Sequence, residues 1–249
     1  MNLNSNLPSR ILSGRLPART LALALLLANA TSLLGQAAYI TTNSFDSISL
    51  LPPPPSRGSA EEVADLASTR AVFNGRSEAE KARAIKDSGL ALSLFQSAVG
   101  AGFDLQKLPK TEALLQKVKK EIGPVIDAPK SHFKRLRPYQ IDDRLVLGPP
   151  EPSFSYPSGH STRGTVYSLV IAELFPEKKN AIVEIGRDIG WDRVLIGKHF
   201  PTDVYAGRML GYAIVLKLHS STLFQHDLEQ AMAEIRDAEQ RVLSTEIAK

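Results

Sequence analysis

Ser161-Thr-Arg-Gly-Thr-Val-Tyr-Ser-Leu-Val-Ile-Ala-Glu-Leu174 is the first of three helical segments in close succession. Residues 178–196 and 201–219 follow, and each segment carries apolar residues on one face. Towards the N-terminus, Leu114, Leu115, Val118 and Ile122 recur at the same spacing. Gly123-Pro124 then predicts a break or kink before a further helix that leads to Arg137-Pro138. Ser59 with Glu62, and Ser77 with Glu80, have capping-box spacing ahead of apolar residues, which predicts two more helix starts. The second of these helices is expected to run to about Val99, before Gly100 and Gly102. Residues 223–247 alternate acids and bases around Leu228, Met232, Ile235 and Val242, the pattern of a solvated amphipathic helix. Strand signals are weak, because the one Asn-Gly pair, Asn74-Gly75, lies between two helical stretches. The expected fold class is all-α, a single-domain helical bundle with its site at helix ends, without internal repeats or a second domain.

The chain has 249 residues, 43% of them hydrophobic and 22% charged, with 16 Gly and 16 Pro. This excludes collagen-like and wholly disordered chains and suits one domain with a sizeable core. No cysteine is present, which removes disulfides, thiol catalysis and thiolate metal sites together. The first segment stands apart. Arg10, Arg15 and Arg19 precede Leu21-Ala-Leu-Ala-Leu-Leu-Leu-Ala28, and small residues follow at Ala30, Gly35, Ala37 and Ala38, the layout of a secretory signal peptide. Cleavage after Ala30 or after Ala37 would each use a small pair, and the later site assigns residues 1–37 to the signal. An uncleaved anchor competes, since Thr20 to Ile40 carries no charge, although Asn29, Thr31, Ser32 and Gln36 dilute it. Removing residues 1–37 takes away three Arg and no acid, so 30 basic residues become 27 against 26 acidic ones. The pI of about 9.2 therefore owes much to the discarded part, and nucleic acid is not an expected partner. Next, Leu51-Pro52-Pro53-Pro54-Pro55 must run as polyproline II. Residues 38–58 are read as an extended Pro-rich linker or surface strap, ahead of a helical domain over residues 59–249.

Three clusters carry chemistry. Lys130 and Arg137 lie close to two helical turns apart, so both can project from one side of a helix. With Lys134 and Arg135 between them, the plain reading is a solvated basic face. Tyr156-Pro157-Ser158-Gly159-His160-Ser161-Thr162 is a tight turn entering a helix, where the amides of Ser158, Gly159 and His160 would be free donors beside a positive dipole end. Gly159 lets the backbone approach an anion, and His160 can supply a proton to a leaving oxygen. The plain alternative is a capped helix start with an exposed His, and Tyr156 either walls the pocket or packs. In the third cluster, Asp192-Arg193 precedes His199-Phe200-Pro201-Thr202-Asp203. Pro201 suits a first helical turn, which puts His199 just outside a helix and lets Asp203 reach back to its ring. A carboxylate on one ring nitrogen fixes the tautomer and leaves the other as nucleophile or base. His132, His219 and His226 fall outside the clusters and read as structural or surface residues.

In this order, Lys-x6-Arg-Pro, Pro-Ser-Gly-His and Arg-x5-His-x3-Asp resemble the three-part signature of the type 2 phosphatidic acid phosphatase superfamily. Within it, the Leu-Pro-Pro-Pro-Pro stretch and Asp203-Val-Tyr-Ala-Gly-Arg208 make roughly residues 50–240 similar to the class A bacterial non-specific acid phosphatases. The resemblance implies a periplasmic, vanadate-sensitive acid phosphatase that acts on phosphate monoesters through a phosphohistidine and can pass phosphate to alcohols. Lys130, Arg137 and Arg193, with Ser158 and the Gly159 amide, would bind the phosphate. His199 would attack phosphorus, His160 would protonate the leaving group and then activate water, and Asp203 would hold His199. No metal and no other cofactor is implied, because positive side chains and backbone dipoles take the part that metal ions play in other phosphatases. The mature chain would need no membrane, and an all-helical domain with a proline strap leaves room for a homo-oligomer.

Two departures matter. The family usually has Ser before the arginine of the third motif, where this chain has Asp192. That acid is expected to pair with Arg193 or repel a dianionic substrate, altering rate or pH dependence without abolishing activity. Many relatives carry cysteines, so here packing must supply what disulfides would. A vanadate-dependent haloperoxidase is a rival reading, although those relatives are much longer chains. A phosphate-binding protein with little turnover draws support from Asp192 alone. A membrane lipid phosphatase needs several spanning helices, and beyond Ile40 no uncharged run is long enough.

Overall fold

The computed structural model describes residues 38–247 except Val146, so the expected signal peptide over residues 1–37 lies outside the described residues. Seven longer helices are labelled α1 (Ala60–Gly75), α2 (Glu78–Asp87), α3 (Pro109–Phe133), α4 (Gly159–Leu174), α5 (Lys179–Leu195), α6 (Pro201–His219) and α7 (Thr222–Ile247), joined by loops and single helical turns. No strand occurs among the described residues, and the fold is all-α. No helix among them is long and apolar enough to cross a membrane.

Local chemistry sets several of these bounds. Ser59 caps α1 by accepting from the Glu62 amide, and Ser77 with Glu80 forms a reciprocal capping box at the start of α2. The expectation that α2 continues to Val99 is not met. The helix stops at Asp87, Leu90 takes a left-handed φ of 48°, and the chain resumes only as short turns, Leu92–Phe95 and Gln96–Val99. The expected break at Gly123-Pro124 is also absent. Helix α3 runs through Pro124 and Pro129, because a packed face of Leu114, Leu115, Val118, Ile122, Val125 and Ile126 offsets the backbone bonds that the prolines cannot make.

Helix α4 differs most from expectation. It is buried on nearly every side rather than on one face, including Ser161, Thr162, Thr165 and Ser168. The hydroxyls of Thr162, Thr165 and Ser168 donate to α4's own carbonyls or that of its N-cap, at 2.8 to 3.1 Å, so small polar side chains enter the core without orphaned donors. Their size permits close approach. A Cβ added at Gly186 of α5 would lie 2.4 Å from Ser168 Oγ, and one at Gly211 of α6 would lie 2.6 Å from Thr165 Cβ.

The order of these contacts gives the directions of the helices. Ser158 and Ser161 meet Gly207 while Thr165 meets Gly211, so α4 and α6 run parallel. Ser161 meets Gly190 while Ser168 meets Gly186, so α5 runs antiparallel to α4. The N-termini of α4 and α6 and the C-terminus of α5 therefore share one end of the bundle. Tyr39, Ile40 and Leu51 belong to the core, and the Tyr156 hydroxyl donates to Pro52 O at 2.6 Å, which ties the proline strap down. Tyr156, edge-on to Phe133, is thus a packing residue.

Gly186→Ala should lower stability by about 1–3 kcal/mol through overpacking against Ser168. The urea midpoint of this variant beside the parent protein checks it; an unchanged midpoint would mean that the α4–α5 approach is looser than described.

Candidate active site

All eight residues singled out in the sequence converge on that end of the bundle. Lys130, in the last turn of α3, donates to Phe154 O at 2.7 Å and lies 3.5 Å from Ser155 O. Arg137 does not reach the site by helical periodicity. Helix α3 ends at Phe133, Lys134 caps it in the left-handed region at φ 50°, and the chain then turns. Arg137 Nε donates to Ser153 O at 2.8 Å, and its Nη1 donates to Lys198 O at 2.9 Å and sits 3.3 Å from His199 Nε2. Ser158 caps α4, its amide donates to Asp203 O at 2.9 Å, and a Cβ at Gly159 would lie 3.6 Å from Lys130 Cε. Arg193, in the last turn of α5, is bonded through Nη2 to Glu151. His160 Nε2 lies 3.1 Å from Ser88 O; a carbonyl only accepts, so Nε2 carries a proton and Nδ1 is the nitrogen left to exchange one.

His199 is 1% exposed. Its Nδ1 lies 3.3 Å from Asp203 Oδ2, as the Pro201 argument requires. Asp203 also receives the Arg135 Nη1 group at 2.6 Å, the Ser155 hydroxyl at 2.5 Å and the Phe200 amide at 3.0 Å. Burial, reinforced by Arg137, Lys130 and Arg193, holds the His199 pKa well below its ordinary value, so the imidazole is neutral. With the Nδ1 proton directed to Asp203, Nε2 keeps its lone pair. Burial and then Arg193 push the His160 pKa down to about 4, and burial with Arg137 brings Lys130 down to about 7. Arg193 Nε and Nη1 are buried donors with no acceptor among the described residues. Beside them lies a cavity of about 540 Å³ lined by Glu151, His160, Arg193 and Lys198 and walled by Ile85, Leu147, Ile196 and prolines. Cations, orphaned donors and a neutral imidazole whose Nε2 faces the Arg137 guanidinium suit an anionic substrate with an electrophilic centre.

The comparisons agree with this geometry. The PAP2 superfamily model matches residues 122–226, the span that holds all three clusters. A non-specific acid phosphatase of Providencia stuartii is 31% identical over 79% of this chain and 84% of its own length. An acid phosphatase of Zymomonas mobilis is 28% identical over 78% and 76%. The chain belongs to the PAP2 superfamily. Its fold is shared with a transmembrane PAP2-type phosphatidylglycerolphosphate phosphatase of Bacillus subtilis, with a TM-score of 0.51 at 24% identity over 66% of this chain and 87% of that one.

Two expectations for this PAP2 chain are corrected. Asp192 does not pair with Arg193. It is engaged by Arg83 of α2, through Nη2 at 2.7 Å and Nε at 3.2 Å, while Arg193 takes Glu151. Burial still pushes the Asp192 carboxyl up to about 6, against the pull of Arg83. Nor is Arg135 part of a solvated face. It is buried between Asp203 and Asp65, its guanidinium 3.9 Å from the Phe200 ring centre, and Thr202 also bonds to Asp65. Sequence reasoning missed Glu151, Ser155, Asp65 and Arg83 altogether, since each is a single residue without a spacing pattern. Arg135→Met should cost about 3–5 kcal/mol by leaving two buried carboxylates short of their cation. Chemical denaturation checks this, and a loss below 1 kcal/mol would mean that Asp203 is held without Arg135.

Proposed function

We propose that this protein is an exported, metal-independent acid phosphatase that hydrolyses phosphate monoesters through a phosphohistidine on His199. The observation that carries the reading is the pair of orphaned Arg193 donors set beside a neutral His199 whose Nδ1 is held by Asp203. A phosphoryl oxygen is the acceptor those donors lack, and Nε2 is the lone pair that phosphorus needs. His199 Nε2 bonds to phosphorus as the ester P–O bond breaks, and protonated His160 gives its proton to the departing oxygen. Neutral His160 then takes a proton from water, which attacks phosphorus and releases His199 and orthophosphate. Lys130, Arg137, Arg193 and the start of α4 offset the charge on the transferring group, and Asp203 steadies the imidazolium that forms.

Export is supported by the Arg-then-apolar pattern of residues 1–37 and by the chain entering the core at Tyr39 and Ile40, whose amides donate to Glu121 at 2.8 and 3.2 Å. Amino-terminal sequencing of periplasmic protein should begin at Ala38.

Turnover of p-nitrophenyl phosphate should survive excess EDTA, be inhibited by vanadate, and vanish in His199→Ala. Loss of activity in EDTA, or activity retained in the mutant, would overturn the mechanism. The pH dependence follows from His160. Its depressed pKa favours the neutral form, while the first step needs the imidazolium. kcat/KM, which reads the free enzyme, should therefore fall as pH rises above about 4. kcat should hold to higher pH, because a bound dianion draws the proton back. His160→Asn should remove this limb and lower kcat by about 10²–10⁴-fold.

A further inference from the structure

We infer that Glu151 is a built-in stand-in for the substrate's phosphate, a tethered carboxylate that occupies the arginine pair in the resting enzyme and must be displaced by each incoming substrate. The inference rests on the phosphatase reading and concerns the same site. Glu151 belongs to none of the three sequence clusters, yet its carboxylate joins two of them. Oε1 is bonded to Arg193 Nη2, and Oε2 lies 3.0 Å from Arg137 Nη2. Every other partner of the Arg137 guanidinium is a backbone carbonyl, the Ser153 hydroxyl or the His199 ring, all part of the scaffold. Among the described residues Glu151 is the one acid in a salt bridge with either guanidinium, and it lines the cavity with His160, Arg193 and Lys198.

The backbone around Glu151 is held by hydrogen bonds and prolines, while its side chain reaches the cavity and, among the described residues, is held only by the two arginines. Its amide donates to the Tyr139 hydroxyl at 3.0 Å, prolines flank it at 150 and 152, and Lys198 Nζ donates to Pro149 O at 2.6 Å. The Glu151 side chain is 24% exposed, so rotation about its χ angles can carry the carboxylate into the cavity mouth without moving the loop. Burial opposes its charge, but Arg193 and Arg137 outweigh burial and hold the pKa below the usual range, with His160 and Lys130 acting in the same direction. The two guanidiniums therefore favour the charged form of the stand-in.

A monoanionic carboxylate already on the arginines sets a threshold for whatever replaces it. A phosphate monoester dianion offers twice the charge and more acceptor oxygens, including acceptors for the orphaned Arg193 Nε and Nη1, and so can displace it. A phosphate diester, with one charge, only matches Glu151. Glu151 is thereby a specificity-determining residue that favours monoesters, and it weakens the binding of product orthophosphate.

Kinetics and isothermal titration of the full protein with orthophosphate test this. Glu151→Gln should lower KM for p-nitrophenyl phosphate and Kd for orthophosphate by about tenfold at pH 6. The monoester-to-diester ratio of kcat/KM, measured with bis(p-nitrophenyl) phosphate, should fall. Glu151→Asp, too short to bridge both guanidiniums, should lie between. Unchanged or weaker phosphate binding in Glu151→Gln would overturn the inference and make Glu151 an organiser of the arginines. Absence of turnover in the parent protein, or turnover kept in His199→Ala, would instead overturn the phosphatase reading. The titration still decides the role of Glu151 in that case, and if Glu151→Gln does not fold, Glu151→Asp decides it alone.

Discussion

A carboxylate with no exposed surface is unstable in a protein interior unless every lone pair finds a donor, and Asp203 is such a group. Its donors come from three separate parts of the chain: Arg135 beyond α3, Ser155 in the loop before α4, and the adjacent His199 ring and Phe200 amide at the head of α6. The backbone carbonyl of the same residue accepts the Ser158 amide, so the turn that opens α4 hangs on Asp203 as well. Through Arg135 the network reaches Asp65 in α1. The position of His199, the proposed nucleophile, is thus determined by the folding of the bundle as a whole.

The convergence of helix ends depends on small residues in α4. Only because Gly186, Gly190, Gly207 and Gly211 face Ser161, Thr165 and Ser168 can α5 and α6 lie so close to α4 that their functional ends meet. With α4 and α6 parallel, two sets of first-turn amides and two positive dipole ends lie side by side, and antiparallel α5 delivers Arg193 to the same place. Ser161, donating to Val204 O at 2.7 Å, couples the first turns directly. Larger apolar residues in α4 would bury more surface and separate the ends. Hydroxyls that bond to their own helix supply tight packing without that separation.

How much of this was legible in the sequence follows from where each determinant resides. Helices α5, α6 and α7 are written in local apolar spacing, and their bounds fall within a residue or two of expectation, whereas α3 shows its apolar face in the sequence but not its passage through Pro124. The three clusters were legible because each combines a helix end with side chains whose spacing is itself part of the geometry, as Pro201 and Asp203 are for His199. The supporting residues were not. Arg135 follows Lys134 and looks like its solvated twin, but the left-handed backbone at Lys134 reverses the chain and turns Arg135 inward, a consequence of how α3 ends rather than of composition. Arg83 meets Asp192 only because α2 packs on α5, and Glu151 sits in a proline-rich loop that carries no periodic signal. Residues whose partners are chosen by tertiary approach leave no trace in spacing.

The electrostatics of the site couple binding to chemistry. In the proposed mechanism Lys130, Arg137 and Arg193 attract phosphate, and the same three charges help to hold the His199 pKa down, so the groups that would recognise the substrate also preserve the lone pair that would attack it. The cost falls on His160, whose proposed first task needs a proton that burial and then Arg193 disfavour. On this proposal a dianion placed among these cations would cancel part of their field at the moment when His160 must be charged, and transfer of the phosphoryl group to His199 would leave His160 neutral, as the second step requires. In that mechanism one ring would serve as acid and then as base because the substrate itself carries the charge that switches it.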